Sequence, residues 1–454
     1  MTAGPLVASL VLLAVGAPAA LLAVLGIASL LDRPLPERWT GRITAAVMLT
    51  ACGALLVALA HEAAGSGARL LTYGTWSASH PGSVALEFLV DRMSLAFAAL
   101  SAAIAGVVSA FSSRYLHRES GYNRYFVLLS MFVTGMLGVA LAGNVEVLFV
   151  GWEFVGLSSA LLVAFFHERP APASNALRVF SVYRISDAAM LSAAVLLRHA
   201  AGTDSLALLF GESHPGGIPG LTPAVATTIA VLLVVAAAGK SALLPFSDWL
   251  PRAMEGPTPS SAVYYGSLSI HAGCFLLIRS APLLEHAPAA RLLAGVLGVA
   301  TAIFAALTTR VQSDVKSGLA YAALTQVGLI VLETSLGWYT LAFIHLAGHA
   351  CFRLLQFLSA PNVLHDLHGM EDAIGDHRPP ARGLVQAIAP EGVRRRIFLA
   401  VLERGFLDSL LDRAVVAPFV RIARGLTRVD GWLCGATSTA PPPVPADGLE
   451  GRDG

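Results

Sequence analysis

Residues 236–262 read AAAGKSALLPFSDWLPRAMEGPTPSSA, and they place a lysine, Lys240, just ahead of four prolines in an apolar stretch. Each proline lacks a backbone donor, so this segment cannot form one continuous helix. Broken helices at membrane depth are tolerated where they line a cavity. The segment therefore predicts a distorted helix end beside Lys240 followed by a loop. An ordinary loop through all the prolines is the alternative.

The composition around this segment is typical of a polytopic membrane protein. The 454 residues are 56% hydrophobic and only 13% charged, and the mean hydropathy is +0.69. A soluble domain carries roughly 25% charged residues. The net charge of +1 gives no indication of nucleic-acid binding, and the sequence shows no basic patch with interleaved aromatic residues. The four scattered cysteines favour neither disulfides nor a zinc site.

Apolar runs long enough to cross a bilayer recur along the chain, since about 20 residues make one spanning helix. The first run lacks a basic start and is too long for a signal peptide, so we interpret it as a span. We predict eleven spans, at residues 5–31, 43–62, 86–112, 125–142, 145–166, 177–200, 222–245, 259–281, 290–309, 315–335 and 338–359.

The loops indicate the orientation of these spans. Arginines concentrate in the loops after the first, third, fifth and ninth spans and in the C-terminal tail. The loops at 63–85, 201–221 and 282–290 contain few. Because basic loops stay in the cytoplasm, we predict a bacterial inner-membrane protein with its N-terminus outside and its tail inside.

The tail changes character after the last span. Residues 397–426 alternate apolar and charged side chains at helical spacing, which predicts an amphipathic helix at the interface or against a partner. Pro418 is expected to kink this helix or to end a segment of it. The end of the chain, residues 434–454, is rich in proline and glycine and is predicted to be disordered.

Lysine is rare in this chain. Only Lys240 and Lys316 are lysines among the 30 lysine and arginine residues, and both lie in or beside apolar stretches. A buried lysine can give up its proton, whereas arginine stays charged. The placement therefore favours proton handling. The alternative is that a GC-rich genome favours arginine codons and left two lysines by chance.

Ionisable side chains within the predicted spans are candidates for function because each is costly in a bilayer. His345, His349 and Arg353 are spaced by four and form one stripe on their helix. Arg184 and Asp187 are three apart and are predicted to form a structural ion pair. The remaining candidates are Glu153, Lys240, His271 and Lys316.

Each candidate also has a simpler interpretation. Glu153 could neutralise Lys240 or Arg184 in a static ion pair, and His271 could be a packing histidine. Lys316 could extend to the membrane surface. His345 and His349 could chelate a metal, but their own segment supplies no carboxylate or cysteine to complete the site. As a set, these groups resemble a buried row that can pass protons.

Several longer motifs carry a resemblance to a known family. FLVDRMSLAF, NVEVLFVGWEFVGLSSALLVAFF, DVKSGLAYAALTQVG and FIHLAGHACFRLLQFL occur in order with the proline-rich segment. Together they resemble the antiporter-like subunits of respiratory complex I, especially the L-type subunit, and the related Mrp-type antiporters. The resemblance covers roughly residues 85–360. It implies an all-α membrane protein of 11–13 helices with two inverted repeats, of which the second is expected to be truncated here.

The resemblance also implies roles for individual residues. Glu153 would pair with Lys240, Asp187 would modulate that pair, and Lys316 with the span-eleven histidines would continue a polar axis. His271 is displaced from the usual histidine position, which Tyr265 occupies here. Arg353 stands where a lysine is usual. The implied domains are residues 1–112, a first repeat at 113–282, a partial second repeat at 283–360, an interfacial segment at 361–433 and a tail at 434–454.

Three further motifs resemble a narrower group. EGPTPSSAVYYGSLSIHAGCFLLIRSAPLL, GHACFRLLQFLSAPNVLHD and LERGFLDSLLDRAVV are similar to the membrane subunit of the two-component DAB inorganic carbon transporters. This resemblance implies a proton- or cation-conducting subunit that drives a cytoplasmic, zinc-dependent β-carbonic-anhydrase-like partner. The zinc would belong to the partner, and this chain would hold no cofactor. The alternatives are a proton-translocating subunit of a complex I-like oxidoreductase or membrane-bound hydrogenase, and a non-conducting membrane anchor.

Overall fold

The computed structural model describes residues 4–64, 68–77, 84–207, 220–312, 314–374, 413–414 and 417–433. Within these residues, eleven helices are long and apolar enough to span a membrane, which confirms the all-α polytopic fold and the predicted number of spans. The first six are α1 (Pro5–Leu30), α2 (Glu37–Ala64), α3 (Arg92–Tyr115), α4 (Tyr122–Leu141), α5 (Val145–Val163) and α6 (Pro170–Ala201). A 3₁₀ turn, Ala164–Phe166, extends α5.

The second half of the chain contributes the other spans. They are α7 (Pro223–Lys240), α9 (Thr258–Arg279), α11 (Pro288–Thr309), α12 (Val315–Ser335) and α13 (Tyr339–Ile374), of which residues Tyr339–Ala360 form the apolar part. Two short helices, α8 (Trp249–Arg252) and α10 (Ala281–Glu285), lie between spans.

Capping residues in the sequence set several helix starts. The side chains of Asp91, Asn144, Thr222 and Asp314 each accept a hydrogen bond from the backbone N–H three residues on, at the starts of α3, α5, α7 and α12. Gly202, with φ of +66°, ends α6 in the left-handed conformation.

A β-hairpin lies directly before α3, where the start of the third span was predicted too early. Strand β1 (Arg69–Ser77) pairs antiparallel with β2 (Val84–Val90), where we predicted a loop and the start of a helix at residue 86. The helix cannot begin earlier because the Asp91 side chain caps it. The residues ahead of the cap, rich in β-branched and aromatic side chains, pair as a strand instead.

Small residues allow the closest helix contacts. A Cβ at Gly135 on α4 would lie 2.7 Å from the carbonyl oxygen of Gly151 on α5. A Cβ at Gly298 on α11 would lie 2.7 Å from the carbonyl oxygen of Gly328 on α12. With little hydrophobic drive between helices in lipid, such close backbone packing is what holds neighbouring spans together.

The helix is broken directly after Lys240. Helix α7 ends at this residue, and Ala242 adopts a left-handed conformation with φ of +55°. Trp249 Nε1 donates to the carbonyl oxygen of Gly239 at 3.0 Å, and the backbone N–H of Leu244 donates to Thr301 Oγ1 at 3.0 Å. These bonds satisfy backbone groups that the break frees, as burial in a membrane requires.

The next span is irregular as well. Residues Ser261–Leu268 of α9 form a π-helix, and Ser269–Arg279 continue as an α-helix. Residues 258–278 are all buried, so this span lies inside the bundle. Long π segments are rare and are often found at functional sites. Gly266 within it allows the ring of Phe357 on α13 to lie against the backbone.

By internal contacts the chain divides into two units, Met1–Leu407 and Asp408–Gly454. In the second unit the described helix is α14 (Ala417–Leu433), so the amphipathic pattern continues past the predicted end at residue 426. Pro418 lies in the first turn of α14, where proline fits, and does not kink it. Residues 397–412 of the predicted helix and the predicted disordered tail, 434–454, lie outside the described residues.

Candidate functional site

Lys240 is fully buried at the end of α7. Its Nζ donates a hydrogen bond to the carbonyl oxygen of Trp152 at 3.1 Å and lies 4.0 Å from Asp187 Oδ1. The same Nζ lies 4.8 Å from the ring centre of Trp152 and 4.4 Å from that of Tyr183. One carboxylate, one carbonyl and two aromatic faces therefore replace the water that the ammonium group would have in solution.

Arg184 links the two acids that were predicted to act with this lysine. Its Nη2 lies 2.8 Å from Glu153 Oε2 and 2.7 Å from Asp187 Oδ2. The predicted pairing of Glu153 with Lys240 therefore differs from the structure, in which Glu153 contacts Arg184 and Asp187 lies closest to Lys240. The physical reason is that Arg184 and Asp187 lie one turn apart on the same face of α6. From that face Arg184 contacts Glu153 on α5, and Asp187 lies next to Lys240 on α7.

A glycine on α5 leaves the room that the lysine occupies. A Cβ at Gly156 would lie 3.0 Å from Lys240 Nζ and 3.6 Å from the ring of Tyr183. The sequence GWEFVG thus supplies an aromatic face at Trp152, an acid at Glu153 and a small residue at Gly156 within little more than one turn of one helix. The close approach of Lys240 to α5 depends on the missing side chain.

A second cluster joins α9 to α13. An arginine side chain can only donate hydrogen bonds, so His349 Nε2 accepts the Nε–H of Arg353 at 3.0 Å. The ring proton of His349 therefore lies on Nδ1. That proton points to His271 Nε2, 2.9 Å away. His271 Nδ1 lies 2.6 Å from the carbonyl oxygen of Ser267 and must be its donor. The hydrogen bonds therefore run in one direction from Arg353 to Ser267.

The stripe on α13 continues to His345. Its Nδ1 lies 2.9 Å from a carboxylate oxygen of Glu333, and its Nε2 lies 3.1 Å from Gln326 Oε1, both on α12. The rings of His345 and His349 are 6.3 Å apart between centres. The structure therefore brings together His271, His345 and His349, and it adds Glu333, an acid that the sequence argument did not name.

The two clusters meet near the break in α7. Ser241, the residue after Lys240, donates from its Oγ to the carbonyl oxygen of Ile270 at 2.6 Å, directly beside His271. Tyr183, whose ring faces Lys240, is buried with its hydroxyl group beside Ser269, two residues before His271.

Lys316 lies apart from both clusters. Its Nζ donates to the carbonyl oxygen of Gly256 at 3.4 Å, at the end of the proline-rich segment. Gln326, which contacts His345, is ten residues further along α12, or about 15 Å at 1.5 Å per residue. The predicted continuation of the polar axis through Lys316 therefore has no direct contact to the histidine cluster in the described structure.

Carboxylates gather at one end of α5 and α6, on the arginine-poor side. Arg198 contacts Glu146 and lies 3.7 Å from Asp204. Glu87 of β2 lies beside them, and burial, followed by the charge of Asp204, raises the pKa of its carboxyl. This end of the bundle thus holds a group of acids, of which Glu87 and Asp204 lie outside the spans.

Some functional candidates could not be found from residue type alone. Trp152 and Tyr183 contact Lys240 through their ring faces, yet aromatic residues in apolar spans are usually packing residues. Glu333 had one signal, since it is an acid near the end of a predicted span. Among the residues that the structure describes, no three His, Cys, Asp or Glu side chains are grouped so as to hold a metal.

Comparison with known families gives two matches. The family model described as NADH:quinone oxidoreductase/Mrp antiporter, TM, matches residues 142–377, which is more than half of the chain. The model described as NADH-ubiquinone oxidoreductase (complex I), chain 5 N-terminus, matches residues 76–126. The first match includes both residue clusters.

Curated relatives agree with these matches. The NADH-quinone oxidoreductase subunit L of Mycobacterium tuberculosis is 32% identical over 300 residues, 66% of this chain and 47% of that protein. The NAD(P)H-quinone oxidoreductase chain 5 of Synechocystis sp. is 31% identical over 346 residues, 76% of this chain and 50% of that protein. The chain thus spans about half the length of these relatives.

Solved structures share the fold. A chain of the Mrp complex from Dietzia sp. DQ12-45-1b superposes with a TM-score of 0.66 at 28% identity, over 85% of this chain and 40% of that chain. A chain of an archaeal membrane-bound sulfane sulfur reductase superposes with a TM-score of 0.65 at 20% identity, over 78% and 70%. At that identity the second likeness concerns the fold alone.

Proposed function

The chain belongs to the NADH:quinone oxidoreductase/Mrp antiporter family of membrane proteins, and from this premise we propose that it conducts protons as one subunit of a larger membrane complex. The observation that carries the proposal is the buried Lys240, held between Asp187 and two aromatic rings next to the break in α7. Lysine can exchange its proton, whereas an arginine at the same place would stay charged. The chain itself is proposed to be a transport subunit and not an enzyme.

The histidine cluster supplies the next carriers in this proposal. Once His349 has gained a second proton at Nε2, the imidazolium can pass its Nδ1 proton to His271 Nε2 along their 2.9 Å hydrogen bond, which leaves His349 neutral. The hydroxyl groups of Tyr183, whose ring faces Lys240, and of Ser269, two residues before His271, would join the two clusters. Arg353 keeps His349 Nε2 as an acceptor, so reloading of His349 at that nitrogen requires Arg353 to move away. Such a row passes a proton only when its members change charge in turn.

Proton flux into liposomes tests the proposal. The full chain is reconstituted with an internal pH-sensitive dye, and a potassium gradient with valinomycin supplies the voltage. We expect wild-type vesicles to acidify, and Lys240→Ala and Lys240→Arg to lose most of the flux. Lys240→Arg is the informative variant because it keeps the charge and removes the exchangeable proton. Unchanged flux in both variants would rule out the lysine as a carrier.

Two kinds of complex are candidates to contain this subunit: a redox complex and an inorganic carbon transporter. The names of the relatives, oxidoreductase subunits of complex I type, favour the redox-complex alternative over the inorganic carbon transporter that the narrower motif resemblance implies. The hypothesis of an inorganic carbon transporter with a zinc-dependent carbonic-anhydrase-like partner stays a prediction. Its support is the set of motifs at residues 255–284, 348–366 and 402–416.

Affinity purification from the native host separates the two. Recovery of oxidoreductase subunits with the tagged chain would support the redox complex. Recovery of a large soluble zinc protein would support the carbon system, and growth of a carbonic-anhydrase-deficient bacterium in ambient air on co-expression would strengthen it. Co-purification of the zinc protein with a chain that carries no flux would favour the third reading, a non-conducting anchor.

A further inference from the structure

An open cavity of about 1000 Å³ lies between the start of α2 and the end of α3, away from both clusters. It lies on the arginine-rich side of the protein, which we predict to face the cytoplasm. We call it the arginine pocket. Its lining includes three arginines, Arg38, Arg42 and Arg114, together with His117 and the aromatic rings of Phe111 and Tyr115.

The helices at the pocket are held close together by local contacts. Gly41 faces α3 so tightly that a Cβ there would lie 2.7 Å from the Cβ of Ser113 and from the hydroxyl of Tyr122. Tyr122 in turn donates to the carbonyl oxygen of Glu37 at 3.0 Å. The close approach places Arg38 and Arg42, one turn apart on α2, beside the end of α3.

The only carboxylate in the lining is already engaged. Glu37 Oε2 lies 2.8 Å from His117 Nδ1, and the Glu37 carboxylate accepts the backbone N–H of Arg118. Within the described residues, Arg42 and Arg114 have no carboxylate partner, and Arg38 is placed against the ring of Trp39. The pocket therefore presents a net positive charge to whatever enters it.

Exposed apolar side chains lie one turn beyond the pocket on the same two helices, next to its lining residues Ala45 and Ala110. Leu49 on α2 and Val107 on α3 are 56% and 49% exposed. The Leu49 side chain lies against Gly106, where a Cβ would come within 3.0 Å of it. These residues lie within spans, so the surface that they form faces lipid. A ligand that fits both parts has an anionic head and an apolar chain.

We infer that the arginine pocket binds the phosphodiester headgroup of an anionic phospholipid, with an acyl chain along the exposed apolar surface at Leu49 and Val107. Arginine is suited to phosphate because its planar guanidinium offers two parallel donors. Basic pockets between spans at the cytoplasmic side are a recognised class of lipid headgroup site. The continuity of charge and apolar surface favours a lipid over a free anion.

Native mass spectrometry of the full chain in detergent tests the inference. The probes are phosphatidylglycerol with long and with six-carbon acyl chains, phosphatidylcholine and inorganic phosphate. The test variant is Arg42→Gln with Arg114→Gln, and the control is Arg169→Gln with Arg310→Gln, which removes equal charge elsewhere. We expect long-chain phosphatidylglycerol to bind the test variant about 30-fold more weakly than wild type, at about fivefold per arginine.

Each other outcome has a defined meaning. Equal binding to the test variant and the control, or equal binding of phosphatidylcholine, would overturn the inference. Competition by inorganic phosphate at millimolar concentration, with no advantage of the long chain, would show an anion site and would also overturn it. If the test variant does not fold, Arg42→Lys with Arg114→Lys keeps the charge, and we expect its affinity to fall less because it loses only the paired donors.

Discussion

Replacing Asp187 by asparagine tests which acid stabilises the charge on Lys240. The two groups are 4.0 Å apart and both are buried. At that distance, with an effective dielectric constant of 20, unit charges attract by about 4 kcal/mol. Glu153 contacts Arg184 instead, so its charge acts on the lysine more weakly than that of Asp187. We therefore expect Asp187→Asn to have the larger effect. The pairing of Glu153 with Lys240 that the motif resemblance implies would make Glu153→Gln the more harmful variant.

The magnitude translates into a large change of population. A loss of about 4 kcal/mol lowers the ratio of charged to neutral Lys240 close to 1000-fold if nothing compensates. The Trp152 carbonyl and the two ring faces remain and recover part of that loss. We therefore expect Asp187→Asn to lower proton flux at least tenfold and Glu153→Gln to lower it less than about threefold.

The assay is the dye-loaded proteoliposome flux, with equal protein incorporation checked for every variant. Asp204→Asn is the control because it removes a carboxylate outside the spans, beside Arg198. Thermal unfolding in detergent separates a misfolded variant from an inactive one. A flux that survives Asp187→Asn but is lost in Glu153→Gln would refute the geometric argument and restore the implied glutamate–lysine pair.

Three further predictions follow from single contacts. Gly156→Ala should lower the flux several-fold, because its Cβ would lie 3.0 Å from the buried lysine amine, whereas Gly318→Ala, with no atom within 4 Å, should leave the flux unchanged in the same assay. The pKa of Glu87 is raised above 4.5 by burial, so its ionisation costs the folded state stability as the pH rises. Melting curves should therefore show Glu87→Gln more stable than wild type at pH 7 but not at pH 4, and equal gains at both would contradict this. Arg353→Leu should release Nε2 of His349. In ¹⁵N NMR of the histidine-labelled protein, the signals of His349 should therefore change from those of a single Nδ1–H tautomer to those of a mixture. A mixture already present in wild type would refute the one-way arrangement.

Hydropathy and proline placement predicted much of the fold. The number of spans follows from apolar runs of sufficient length, because a bilayer imposes that length on every helix that crosses it. The break after Lys240 follows from the prolines behind it, since they remove backbone donors whatever surrounds them. The second strand of the hairpin, Val84–Val90, was missed because it is a short apolar run directly before α3, and such runs resemble the start of a spanning helix.

The sequence by itself thus determined which residues are costly inside the membrane, and the candidates for function came from that cost. Only the tertiary structure decided their partners. Glu153 and Asp187 are both acids on neighbouring spans, and no local pattern tells which one reaches Lys240. The answer depends on helix rotation and on the space left at Gly156. His345 and Glu333 meet for the same reason: a contact between helices is set by how their faces pack, and residue spacing describes one helix at a time.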